Sequence, residues 1–136
     1  VPRFVDTNVV LYAVSTARAE TAKRDKAREI LRATDLALSA QVLGEFYVQT
    51  TRTSREGALS HADAVAMIES LGRFPIEPVT TKIVSSALAT RERYQISYWD
   101  AAIIEAARTA KCTEVLSEDL SSGQDYDGVV VRNPFE

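Results

Sequence analysis

Apolar and polar positions along this chain switch repeatedly between the period of a strand and that of a helix. Arg3-Phe4-Val5 forms a short strand-like run that Asp6, Thr7 and Asn8 interrupt, and apolar residues resume from Val9 to Val14 as a short helix. Residues 16–34 predict a strongly charged helix whose narrow apolar side is Ala22, Ala27, Ile30 and Leu31. Leu36 to Ala40 reads as a second strand, with Ser39 placed to cap a helix over 40–52. A polar loop, 53–57, leads into a segment over 59–74 in which Val65, Met67, Ile68 and Leu71 recur at helical spacing. Residues 75–79 predict a strand fenced by two prolines. Residues 80–94 predict an amphipathic helix carrying Ile83, Val84, Ala87 and Leu88. Ser97 opens a helix over 98–112, and strands over 114–117 and 128–133 close the pattern.

Strands separated by helices imply parallel pairing through right-handed crossovers, with helices covering the sheet. The expected fold is therefore a single α/β sandwich over residues 1–136, with no repeat, linker or low-complexity segment. A chain of 136 residues, 46% hydrophobic and 26% charged, can bury a real core. No apolar stretch approaches the ~20 residues that span a bilayer, so no membrane association is expected. Asp6 breaks the first apolar segment, so no secretion signal is expected either. The first residue is Val1 rather than Met, which suggests an altered or trimmed natural start.

Composition narrows the chemistry. There is one cysteine, Cys112, and one histidine, His61. Zinc sites, Ser-His-Asp triads and Cys-His pairs are all but excluded, and catalysis must run on carboxylates. Cys112 reads as a small core residue and His61 as an exposed residue in a first helical turn. The net charge of −3 argues weakly against nucleic-acid partners. Setting four carboxylates aside as ligands leaves 16 basic against 15 acidic residues, so net charge decides nothing.

In open parallel sheets, ligands bind beyond the carboxyl ends of the strands. Asp6 follows the first strand and Asp119 follows the strand over 114–117. Glu45 lies in the second turn of the helix opened by Ser39, and Asp100 in the first turn of the helix opened by Ser97. Each acid alone also fits a plainer role. Asp100 fits a capping box with Ser97, Glu45 a surface glutamate, and Asp119 a turn. Ile103, Ile104 and Ala107, however, share a helical face with Asp100, and a carboxylate there is costly unless paired or metal-bound. Together the four acids repel one another unless a cation neutralises them. Oxygen ligands without His or Cys favour Mg²⁺ or Mn²⁺, as one ion or as two roughly 3.5–4 Å apart.

Four stretches then carry a resemblance: FVDTNVVLYA (4–13), LSAQVLGEFYVQTTR (38–52), ISYWDAAIIEAA (96–107) and VLSEDLSSGQDYDGVVVRNPF (115–135). In this order and spacing the chain resembles a PIN domain, and specifically the VapC-type toxins of toxin–antitoxin pairs. The resemblance implies a PIN-like three-layer sandwich with a mostly parallel central sheet flanked by helices. It also implies a metal-dependent endoribonuclease of the cytoplasm that hydrolyses phosphodiester bonds in RNA. Carried over, the acidic positions are Asp6, Glu45, Asp100 and Asp119, with Asp6 and Asp100 as direct ligands of Mg²⁺ or Mn²⁺ and the other two completing the site. Thr7, Asn8 and Ser117 match small polar positions that flank it. Asp119 rather than Glu118 is expected to point inward, because neighbours at a strand end face opposite ways. The resemblance implies partners too: an RNA substrate, a small cognate antitoxin that blocks the acidic site, and a homodimer. Phe46, Tyr47 and the helix over Val65 to Leu71 are either core or interface. Arg52 and Arg55 are candidate RNA contacts, although the helix they follow runs away from the acids.

Three rival readings stand beside this one. A non-catalytic RNA- or protein-binding module of the same fold has no physical reason to keep four repelling acids. A phospho-acceptor receiver domain needs a lysine after a late strand, and Lys82 is the nearest candidate. A DNA-directed metal nuclease would use the same acids.

Overall fold

A computed structural model describes residues 2–136, so the expectation about Val1 lies outside the described residues. Five short strands, β1 (Arg3–Val5), β2 (Leu36–Ser39), β3 (Ile76–Glu77), β4 (Glu114–Leu116) and β5 (Val130–Arg132), form one sheet in the order β3-β2-β1-β4-β5. Every strand pair is parallel, with Phe4 opposite Ala37 on one side and Val115 on the other. Only an isolated bridge between Asp125 and Val130 is antiparallel. Six helices connect the strands: α1 (Thr7–Ala13), α2 (Thr21–Leu31), α3 (Ala40–Thr50), α4 (His61–Leu71), α5 (Thr81–Tyr94) and α6 (Tyr98–Thr109).

Strand order fixes the layers. The chain steps from β1 to β2 to β3 in one direction, then crosses back to β4 and β5. Right-handed crossovers in opposite directions put α1–α4 on one face and α5–α6 on the other. The packing agrees: α1 contacts α2 and α3, α3 contacts α4, and α5 lies along α6. The expected three-layer α/β sandwich with a parallel sheet is the fold observed. Its main core is a cluster around Phe4, Val9, Leu38, Phe46, Ile104 and Val115, all essentially inaccessible to solvent, and Ala87, Ala101 and Ala102 form a small second cluster between α5 and α6. Cys112 is buried there as a free thiol.

Several boundaries depart from the sequence pattern, each for a local reason. α1 starts at Thr7 rather than Val9, because the extended Asp6 caps it and accepts a hydrogen bond from the Thr7 amide. This draws Thr7 and Asn8 into the helix, where both are buried. The charged segment after α1 divides into a 3₁₀ turn, Arg18–Glu20, and α2, which buries Ala27, Ile30 and Leu31 but leaves Ala22 exposed. α3 ends at Thr50 rather than running to 52. The Thr50 and Thr51 hydroxyls donate back to the carbonyls of Phe46 and Tyr47 there. β3 shrinks to two residues between Pro75 and Pro78, which lack the amide donors a ladder requires. β5 starts at Val130, after a turn in which Asp127 and Gly128 adopt positive φ.

The two alternatives for the apolar helix surface also separate. Phe46 is wholly buried, so it is core. Tyr47 is half-buried and bonds through its hydroxyl to the exposed His61 ring. Within α4, Ala64 and Leu71 are buried, whereas Val65, Met67 and Ile68 are only half so. The large apolar side chains left in solvent are Val48, Val79, Leu88 and Trp99, so Leu88 does not belong to the buried side of α5. No helix among the described residues is long and apolar enough to cross a membrane.

Candidate active site

The sheet order reverses between β1 and β4, the place where an open parallel sheet leaves a crevice beyond its strand ends. β1 ends in Asp6 and β4 runs into Ser117, Glu118 and Asp119. Ser39, at the end of β2, caps α3 by accepting from the Val42 amide, and this starts the helix so that Glu45 falls in its second turn. Ser97 caps α6 in the same way, accepting from the Asp100 amide at 3.1 Å. A cleft of about 110 Å³ lies where these ends meet, lined by Asp6, Glu45, Asp100 and Asp119 together with Thr7 and Asn8. Four acids from four separated chain segments thus share one cavity. The capping geometry and the cleft position of Asp100 hold at once: its amide serves the cap while its carboxylate lines the cavity.

Asp6 is the deepest of the four. One carboxylate oxygen accepts from the Thr7 amide at 2.7 Å, the other from the Ser117 hydroxyl at 2.8 Å. Burial pushes its pKa up to about 6, and the charges of Asp119 and Glu45 add to the rise while the two hydrogen bonds oppose it. Ser117 and Asn8 form the bracket around it. The Asn8 amide donates to Ser117 Oγ and to Asp119 Oδ2, each at 3.2 Å, and its carbonyl accepts from the Glu118 amide. Glu45 is held from two sides, by the Thr7 hydroxyl at 2.6 Å and by Gln41 Nε2 at 3.0 Å. Half-buried Asp100 also has a raised pKa, mainly through burial, with the charges of Asp119 and Glu45 contributing and Ser97 opposing. Asp119 is exposed at the rim.

The neighbouring carboxylate faces elsewhere. Glu118 is paired with Lys23 at 2.6 Å and accepts from the Tyr12 hydroxyl, and Lys23 then Tyr12 hold its pKa below the ordinary value. Asp119, not Glu118, therefore lines the cleft.

All donors that line the cleft are oxygens or amides, and the single His and Cys lie outside it. That donor set, with its excess of negative charge, fits a hard divalent cation. Among the described residues, no three acids stand close enough to close on one ion as the side chains are placed. Hydrogen bonds from Thr7 and Gln41 hold the Glu45 carboxylate, and one from Asn8 holds that of Asp119.

Of the two candidate arginines, Arg55 lines a second cavity of about 230 Å³ with Tyr12, Glu20 and Glu118. That cavity shares Asn8, Leu11 and Asp119 with the acidic cleft, so the two are lobes of one groove. The turn after α3 brings Arg55 back toward the acids, whereas Arg52 is exposed and lines neither lobe. Sequence reasoning passed over Gln41, Gln49 and Trp99, which also line the cleft. Gln41 was discoverable, since it precedes Glu45 by one helical turn on the same face. The pairing of Lys23 with Glu118 spans 95 residues and left no local signal.

Comparison with known proteins follows the same lines. The family model described as PIN domain matches residues 3–121. No curated protein matches the sequence. Among solved structures, a toxin–antitoxin complex from Klebsiella pneumoniae is similar at a TM-score of 0.70 and 20% identity, covering 98% of both chains. VapC20 from Mycobacterium tuberculosis, a Sarcin-Ricin loop cleaving toxin, is similar at 0.67 and 22%, covering 86% of this chain and 91% of its own. VapBC2 from Rickettsia felis, bound to a promoter DNA fragment, is similar at 0.67 and 14%, covering 98% of each. At these identities the likeness is one of fold.

Proposed function

The chain belongs to the PIN-domain family, and from that premise we propose that it is a metal-dependent endoribonuclease, the toxin of a toxin–antitoxin pair. The convergence of Asp6, Glu45, Asp100 and Asp119 on one cleft carries this reading. Asp6 and Asp100 would hold Mg²⁺ or Mn²⁺ directly, and Glu45 and Asp119 would complete its surroundings, directly or through water. A bound divalent ion supplies positive charge, which acidifies water and offsets the charge of the phosphate in the transition state.

The chain's own residues set the rest. Ser117 and the Thr7 amide fix the two oxygens of Asp6 and favour its ionised form against burial. Thr7 and Gln41 fix the Glu45 carboxylate, which otherwise swings on three torsions. Asn8 ties Asp119 to Ser117, so the strand end and α1 move as one piece. Asp119, the most exposed of the four, would take a proton at a carboxylate oxygen from the attacking water. That water adds to phosphorus as one P–O ester bond of the chain breaks, and the leaving oxygen takes up a proton from solvent.

A small antitoxin would silence such a site by covering the acidic cleft, and a homodimer is the expected assembly. The Klebsiella pneumoniae toxin–antitoxin complex supports the antitoxin, and the Sarcin-Ricin loop cleavage named for VapC20 supports the RNA substrate. The cytoplasm is where such an RNA and such an antitoxin meet. The test is incubation of the purified chain with total cellular RNA in Mg²⁺ or Mn²⁺, beside EDTA and a single-stranded DNA control. Discrete RNA fragments that EDTA abolishes support the proposal. Intact RNA from folded protein free of antitoxin rejects it, and cleavage of the DNA alone reassigns the substrate.

A further inference from the structure

Trp99 is 63% exposed, the most exposed large apolar side chain among the described residues, yet it stands beside Asp100 in the lining of the acidic cleft. Burial does not explain it. The neighbouring Tyr98 ring meets it edge-on at 5.1 Å, and Gln41, which also holds Glu45, donates to its backbone carbonyl at 3.4 Å. The Trp99 backbone is thus held at the rim and Tyr98 flanks the indole, while most of the ring faces solvent. In the other lobe of the groove, Arg55 is half-buried beside Tyr12 and Asp119. Lys23 is taken up by Glu118, whereas Arg55 enters no ion pair among the described residues.

A free cation and a free aromatic face on two sides of a phosphodiester site match the two things that single-stranded nucleic acid offers, phosphates and unstacked bases. Resting on the ribonuclease reading, we propose that Trp99 is a stacking platform for an unpaired base on one side of the scissile phosphate. Arg55 holds a backbone phosphate on the other side. The indole takes only an unpaired base, because a base inside a duplex has no free face to lay on it. Trp99 acts as a positioning residue for the strand and takes no part in proton transfer.

Trp99 is the only tryptophan in the chain, so its fluorescence reports stacking directly. Asp6→Asn protein in Mg²⁺ is titrated with a random pool of eight-nucleotide single-stranded RNA, with RNA duplex of the same length, and with an abasic ribose-phosphate strand. Saturable quenching by the single strands, with little from duplex or abasic strand, is the expected result. In cleavage assays with the otherwise native chain, Trp99→Ala is expected to raise KM about 10- to 100-fold with kcat within about twofold. Trp99→Phe is expected to keep most of the affinity, and Arg55→Ala to weaken binding and flatten its salt dependence. Emission unmoved by saturating RNA, or unchanged KM in Trp99→Ala while the native chain cleaves RNA, overturns the inference and leaves the ribonuclease reading standing. Emission that follows protein concentration without RNA also overturns it, and assigns Trp99 to a contact between copies. Absence of both cleavage and RNA binding overturns the two together.

Discussion

Asp6→Asn is expected to inactivate the protein and to stabilise its metal-free form. Burial lifts the Asp6 pKa from 3.8 to about 6. Between those values the folded state holds more protons than the unfolded one. The stability Asp6 contributes is therefore full below about pH 3.8 and is lost as pH rises through about 6. The loss is about 2 kcal/mol at pH 5 and about 3 kcal/mol at pH 7.5. Asparagine escapes this penalty but turns an amide toward Ser117, whose hydroxyl loses its acceptor, at about 1 kcal/mol. The variant should then exceed the native chain by about 2 kcal/mol at pH 7.5, or roughly 6–10 °C in Tm, and by about 1 kcal/mol at pH 5. Urea denaturation in EDTA at the two pH values measures both gaps. Mg²⁺ at about 100 times its Kd should add about 2.7 kcal/mol to the native chain and far less to the variant. A variant less stable than the native chain at pH 7.5, or a gap that does not change with pH, would refute the reasoning.

Other consequences concern neighbouring residues. Asp119→Asn should lower RNA cleavage by at least about 100-fold while Glu118→Gln stays within about threefold, since only Asp119 lines the cleft; equal losses in initial rate would contradict this. Thr7→Val should lower cleavage about 10- to 100-fold with little change in melting temperature, because it frees the Glu45 carboxylate. Ser39→Ala should cost about 1 kcal/mol in denaturant unfolding through the lost α3 cap. Glu105 is buried and accepts from Thr90 and Arg108, while Arg108 also donates to the carbonyls of Tyr126 and Asp127. Glu105→Ala should therefore cost about 2–3 kcal/mol, less than a fully buried pair because Arg108 is partly exposed.

Much of this arrangement was legible in sequence where local chemistry decides structure. Ser39 and Ser97 announced their helices as caps, and the period of Ile103, Ile104 and Ala107 placed Asp100 on the inner face of α6. Asp6 was legible as an acid at a strand end but not as the cap that starts α1 two residues early. One carboxylate serves both roles, and periodicity reports neither. The return of Arg55 depends on the turn after Thr50, where hydroxyl-to-carbonyl bonds end the helix, and amphipathic spacing carries no trace of that. Ala22 and Leu88 matched a helical stripe yet lie in solvent, because the stripe gives a face and only the tertiary packing says how much of it is covered. Alternation at the strand end already turned Asp119 rather than Glu118 inward; what left no local signal is the distant Lys23 that pairs with Glu118.

The central claim is that the four acids act as one metal-dependent phosphodiesterase centre. Single-turnover cleavage of a labelled RNA, in Mg²⁺ and in Mn²⁺, by the native chain and by Asp100→Asn tests it most directly. Asp100 is half-buried and its amide, which the substitution keeps, serves the α6 cap, so the variant should fold. The account predicts cleavage that EDTA stops and that Asp100→Asn lowers by at least about 100-fold. A folded Asp100→Asn protein that cleaves at the native rate, or cleavage indifferent to EDTA, would contradict it.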